Sequence, residues 1–238
     1  MSLPPLAVDV DGTLTRPGHD ATAPLGLDPR VFDPLRAWPA PVVVATGKAF
    51  PYPVALCHFA GIEERVVAEN GGVVYAADEV EFRGDPEAAR AVLAEFEDRG
   101  GDPGWEPVDT VNRWRETEVA VAADGDGDGD ADLLRSVAAD HDMTVVDTGY
   151  AYHVVSPDVD KGRGLERAAT LLGRDVDEFV AVGDSANDVA LFEVVGDSYA
   201  VGNAADVARS AAAHTVKEEG ADGFLAAVSA VEQRHERG

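Results

Sequence analysis

The run Leu6-Ala7-Val8-Asp9-Val10-Asp11-Gly12-Thr13 decides how this chain is read. Three apolar residues lead into two carboxylates spaced two apart, and then into a glycine. A short continuous apolar run that stops at polar residues is how a parallel strand buried on both faces reads. In an extended backbone Asp9 and Asp11 start on the same side, so the pair faces one site. Asp-x-Asp-Gly also suits an ordinary turn, and the rest of the chain has to decide between the two.

Two further runs repeat the pattern. Val42-Val43-Val44-Ala45 leads into Thr46-Gly47-Lys48, and Phe179-Val180-Ala181-Val182 stops at Gly183-Asp184. Helical segments are expected at 51–60, with Val54, Leu56 and Phe59 apolar, and at 162–173, where Leu165, Ala168, Ala169 and Leu172 recur at helical spacing. Strands alternating with helices predict an α/β fold whose core is a doubly wound, mainly parallel, Rossmann-like sheet. Ligands of such sheets lie beyond the carboxyl ends of the strands, so Asp9, Thr46 and Asp184 are expected in one crevice.

The pattern changes between these portions. Asp85 before Pro86 reads as an N-cap and first turn, and Ala89, Val92, Leu93 and Phe96 give the helix its apolar face. Strand candidates at 117–122, 143–147 and 151–155 and a helix candidate at 131–141 complete a small α+β module. The expected division is a core of residues 1–83 and 158–238 with a cap at 84–157 inserted. Inside the cap lies Asp124-Gly125-Asp126-Gly127-Asp128-Gly129-Asp130. Its opening matches a calcium-binding EF-hand loop, but Arg135 stands where the bidentate Glu belongs, so a solvated loop is the expectation.

Composition narrows the partners. With 45 acidic against 19 basic residues the formal charge is −26, a surface that repels nucleic acid phosphates. No run approaches the roughly 18 apolar residues of a membrane span, and no basic-then-apolar leader opens the chain. A cytoplasmic protein with no nucleic acid or membrane partner is expected, its oligomeric state unread. The single Cys57 excludes an intramolecular disulfide and suits a small buried hydrophobe.

The candidate chemistry is phosphoryl transfer. Beside Mg²⁺, one carboxylate of the Asp9/Asp11 pair can attack phosphorus while the other protonates the leaving oxygen. The Thr46 hydroxyl and Gly47 N–H can bind a phosphoryl oxygen. Lys161 is one of three lysines, with Lys48 and Lys217, and opens a helix where its charge would offset carboxylate and phosphate. Gly183-Asp184-Ser185-Ala186-Asn187-Asp188 gathers hard oxygen ligands of the kind Mg²⁺ takes.

In order and placement these four segments resemble the four motifs of the haloacid dehalogenase superfamily. The insert between the second and third, with Ala68-Glu69-Asn70-Gly71-Gly72, resembles the subgroup containing sugar phosphatases and sucrose-phosphate phosphatase. The resemblance implies an Mg²⁺-dependent phosphatase of a small phosphorylated metabolite. Its nucleophile and metal ligand would be Asp9; Asp11 would be the general acid/base, its carbonyl on the metal. Asp184 and Asp188 would be further metal ligands, Thr46, Gly47 and Lys161 would hold the phosphoryl group, and Asn187 would orient Lys161 or phosphate. Many relatives carry Arg where this chain has Lys48. Within that subgroup the short chain and compact cap most resemble archaeal phosphatases of 2-phosphoglycolate, so the resemblance implies that substrate, with sugar phosphates as the alternative; Trp105, Arg113, Trp114, Arg115 and His153 are the cap residues available to the leaving group. Rival readings are a phosphomutase, a phospho-receiver module and a calcium-binding interaction protein.

So acidic a surface repels itself at low ionic strength, whereas at molar salt the screening length falls to about 3 Å. The melting temperature should therefore rise as KCl goes from low to molar concentration, and a salt-independent melt would remove the halophilic reading.

Overall fold

The computed structural model describes residues 3–16, 26–105, 109–123 and 128–237. The chain begins with β1 (Leu6–Val8), α1 (Phe32–Ala37), β2 (Val42–Ala45), α2 (Pro51–Ala60), β3 (Val66–Ala68), β4 (Val73–Ala76) and β5 (Glu79–Phe82). There follow α3 (Pro86–Asp98), β6 (Val119–Ala122), α4 (Asp128–Asp140), β7 (Thr144–Asp147) and β8 (Ala151–Val155). The chain ends with α5 (Lys161–Leu171), β9 (Val180–Gly183), α6 (Val189–Val194), β10 (Asp197–Ala200), α7 (Asp206–Ala211), β11 (His214–Thr215) and α8 (Gly220–Arg237).

Eight strands form one sheet in the order β11-β10-β9-β1-β2-β3-β4-β5. It is parallel from β11 to β3, and β4 and β5 add antiparallel neighbours at one end. Period-two alternation sorts each central strand between two layers. Leu6, Val8, Val42, Val44, Val180 and Val182 pack with Leu35, Leu56 and Phe224, from α1, α2 and α8. Ala7, Val43, Ala45 and Ala181 pack on the other face with Leu165, Ala168, Leu191 and Ala208, from α5, α6 and α7. Both faces are covered, which is why these strands read as unbroken apolar runs. Strand order reverses at β1, with β2 on one side and β9 on the other, so the crevice at a topological switch point lies at the carboxyl ends of these three strands.

A second sheet, β6-β8-β7, is antiparallel throughout. Ala89, Val92 and Phe96 of α3 and Leu134, Val137 and Ala138 of α4 pack on Val119, Val121 and Val154, giving this module its own core. Asp85 caps α3 by accepting from the N–H groups of Glu87 and Ala88.

Several expectations need correction. Phe59 turns to the open side of α2 and is 77% exposed, so the apolar face of that helix is carried by Leu56 and Cys57 instead. Helix α4 begins at Asp128, earlier than expected, taking in the end of the Gly-Asp run. Residues 124–127, the rest of the supposed loop, lie outside the described residues. The strand expected from 117 begins at Val119; Thr117 and Glu118 are buried and bonded to the core. No helix among the described residues is long and apolar enough to cross a membrane.

Phe96 is fully buried at the centre of the second core. Phe96→Ala should lower unfolding free energy by about 3–5 kcal/mol, read from chemical denaturation, since deletion leaves a cavity as well as lost burial.

Candidate active site

Strand β1 delivers Asp9 to the crevice, and the chain turns away at Gly12, whose φ is +76°. A Cβ there would lie 2.1 Å from the Asp184 carboxylate, so only glycine lets the first acidic segment meet the fourth. Asp9, Asp184 and Asp188 each offer an oxygen, all within 4.8 Å of one another. Hard oxygens so grouped are able to hold one cation.

Lys161, the first residue of α5, is 1% exposed. Its Nζ donates to Asp9 Oδ1 and to Asp188 Oδ1, both at 2.7 Å. Asp160 caps the helix by accepting from the Arg163 N–H, which fixes where Lys161 emerges. Attraction to the two carboxylates outweighs burial and raises the ammonium above its usual range. Burial pushes Asp9 up to about 7, with Lys161 opposing and Asp188 adding to the shift. Asp184 is pushed up to about 9 by burial and then by Asp9 and Asp188. When ionised, these carboxylates together carry more negative charge than one ammonium offsets, which favours their protonated forms unless a cation is bound.

Asp188 is fully buried, and its Oδ2 accepts from the backbone N–H groups of Asp184 and Ser185, at 2.9 and 3.0 Å. Thr46 is buried at the end of β2, and its hydroxyl oxygen accepts from the Lys48 N–H at 3.2 Å. Asp11 stands at the open side of the site, where the Lys48 ammonium lies 3.1 Å from its carboxylate. That contact gives Lys48 a partner which sequence reading did not supply.

Asn187 makes its contacts elsewhere than on Lys161. Its Nδ2 donates to Asn70 Oδ1 at 2.8 Å, and its Oδ1 accepts from the Ser185 hydroxyl, while both contacts of Lys161 are carboxylates. A buried ammonium gains more from ionised acceptors than from an amide.

Three residues absent from the sequence-based site complete it. Asn203 Nδ2 donates to Gly12 O at 3.0 Å and to Asp184 Oδ2 at 3.3 Å, while its Oδ1 accepts from the Gly220 N–H. Its signal was legible: Tyr199-Ala200-Val201 ends at Gly202-Asn203, another apolar strand stopping at a polar turn. Glu69 and Asn70 follow β3 in the same way. Glu69 is buried and accepts from the N–H groups of Glu116 and Thr117 and from the Thr117 hydroxyl. Asn70 Nδ2 donates to Glu118 Oε2 at 2.8 Å, tying the second module to the crevice.

Glu118 also pairs with Arg115 and, at 2.8 Å, with His153 Nδ1. Of the other cap candidates, Trp105 spends its indole N–H on Ala120 O, and Trp114 is half exposed beneath the Arg113 guanidinium. Cys57 is on the buried face of α2, where burial pushes its thiol up to about 11.

A family model described as haloacid dehalogenase-like hydrolase matches residues 121–228. A phosphoglycolate phosphatase of Halobacterium salinarum is 56% identical over 228 residues, covering 96% of this chain and 97% of that one. Another, of Halorubrum lacusprofundi, is 57% identical over 236 residues, covering 98% and 100%. Among solved structures, one from Thermoplasma acidophilum aligns over 98% of this chain and 99% of its own at a TM-score of 0.81 and 23% identity. The sucrose-phosphatase of Synechocystis, in complex with sucrose and phosphate, covers the same shares at 0.69 and 18%. At these identities the solved structures speak for the fold alone.

Burial by itself would raise Glu118, but His153, Arg115 and Asn70 outweigh it and hold the carboxyl below its ordinary 4.5. The stability this lends is complete above that value and is lost as pH falls through the lower folded-state value. Between roughly pH 5 and pH 3 the wild type should lose more unfolding free energy than Glu118→Gln, read by chemical denaturation at each pH.

Proposed function

Because this chain belongs to the haloacid dehalogenase-like hydrolases, we propose that it is an Mg²⁺-dependent phosphomonoesterase whose substrate is 2-phosphoglycolate, split to glycolate and phosphate. The observation that carries the chemistry is the buried Lys161 ammonium between Asp9 and Asp188, at the carboxyl ends of adjoining parallel strands. The substrate comes from the names of relatives more than half identical over almost the whole chain.

The donor set fits Mg²⁺. Three carboxylates share a small volume with one ammonium, so a divalent cation would offset the surplus charge. Asp9, Asp184 and the Asp11 carbonyl would hold it. Asp188, whose Oδ2 already accepts two N–H groups, would have Oδ1 to share between the cation and Lys161. Bound Mg²⁺ would supply charge neutralisation between the nucleophile and the phosphoryl oxygens.

The residues of this chain then divide the work. The Thr46 hydroxyl, the Gly47 N–H and Lys161 hold phosphoryl oxygens. An Asp9 carboxylate oxygen attacks phosphorus, the bond to the leaving alcohol oxygen breaks, and Asp11 gives that oxygen its proton. Asp11, now a carboxylate, takes a proton from water as the water oxygen bonds to phosphorus and the bond to Asp9 breaks. Inorganic phosphate leaves, and both carboxyl groups return to their starting states. The acidic surface and the halophilic sources of the relatives support work in a saline cytoplasm.

Phosphate release from 2-phosphoglycolate should require Mg²⁺. It should vanish in Asp9→Asn and fall on the order of 10² to 10⁴-fold in Asp11→Asn. A fully active Asp9→Asn protein would overturn the mechanism, and turnover of hexose phosphates alone would move the substrate to the sugar-phosphate class.

A further inference from the structure

One charged group at the seam between the two modules has no part in the chemistry above. The Arg115 side chain is only 6% exposed. Its Nη1 donates to Gly47 O at 2.8 Å and pairs with Glu118. A guanidinium Nη carries two N–H groups, so these contacts spend both. Nε, two bonds away in the same planar group, is buried and makes no hydrogen bond among the described residues.

Buried donors are almost always satisfied, and an exception calls for a ligand or a water. The Nε edge of a guanidinium is also where a carboxylate docks through two parallel N–H···O contacts. Glu118 does not fill that edge: its Oε1 meets Arg115 Nη1 and His153, and its Oε2 meets Asn70. Arg115 is anchored, moreover, on the residue next to Thr46, so its guanidinium borders the proposed phosphoryl pocket. Among the described residues, Trp105, Trp114 and His153 offer no equivalent unmet buried donor.

We infer that Arg115 is a specificity-determining residue whose Nε edge receives a carboxylate on the carbon next to the phosphoester. The inference rests on the phosphatase reading above. Glu118 and the Gly47 carbonyl hold the guanidinium in place, so the fork is set before the substrate arrives.

The test compares kcat/KM for 2-phosphoglycolate with that for ethyl phosphate, in which a methyl group replaces the carboxylate, at high KCl with Mg²⁺. The wild type should prefer 2-phosphoglycolate. Arg115→Lys keeps the charge and lacks the Nε edge, so the ratio of the two kcat/KM values should fall about 10- to 100-fold, the range of a hydrogen bond to a charged group. A purely structural role would depress both esters together and leave the ratio unchanged, which would overturn the inference. Arg115→Met, unbranched, uncharged and without an N–H donor, is the second variant with the same readout should Arg115→Lys fail to fold. A wild type that hydrolyses both esters equally well also overturns the inference while leaving the phosphatase reading intact; one that releases phosphate from neither ends both.

Discussion

Everything in the core converges on a single ammonium group out of contact with water. Lys161 joins Asp9, 152 residues earlier in the chain, to Asp188, 27 residues later. A buried ion costs several kcal/mol unless its partners meet it with good geometry, and an unpaired buried carboxylate is penalised in the same way. The three residues are therefore stable inside only together. That requirement demands the β1–β9 pairing, the capped start of α5 and the tight junction after β9 in one structure. Gly12 extends the constraint, because its bare backbone is what lets Asp184 approach.

Around this centre the second module is fastened by polar contacts from a strained turn. Glu69 and Asn70 both have positive φ, +51° and +54°. Consecutive non-glycine residues in that region are uncommon and costly. The conformation sends the two side chains to different places: Glu69 accepts the N–H groups of Glu116 and Thr117, and Asn70 joins Glu118 to Asn187. Any opening of the seam leaves Glu69 and Glu118 short of their partners, so the same contacts that place Arg115 over Gly47 also resist separation of the modules.

Legibility followed chain locality. Asp9, Thr46 and Asp184 each end an apolar strand, and strand ends in a parallel sheet meet by topology, so the sequence alone brought them together. Lys161 was legible as a helix start, but its burial depends on carboxylates far away in the chain. Of the two partners expected for Asn187, Lys161 is taken by Asp188, the better partner for an ammonium, and only coordinates reveal that Asn70 stands within reach of Asn187. Glu118 and Arg115 were harder still. Nothing in a strand-edge Glu or a loop Arg tells whether water or a second module lies opposite.

The remaining tension is between a chain of charge −26 and an anionic ligand. At low ionic strength the acidic surface would repel such a molecule from far outside the crevice. At molar salt the screening length of about 3 Å removes that distant repulsion, and binding is left to groups in contact with the ligand. Within the crevice these are the buried Lys161 and the seam residue Arg115, both sheltered from the screening that acts on exposed pairs. Their fields act in a poorly polarisable surrounding, so salt weakens them least. An acidic exterior and an anion-binding interior are thus compatible where salt is high, because the same ions that quiet the surface leave the buried cations nearly untouched.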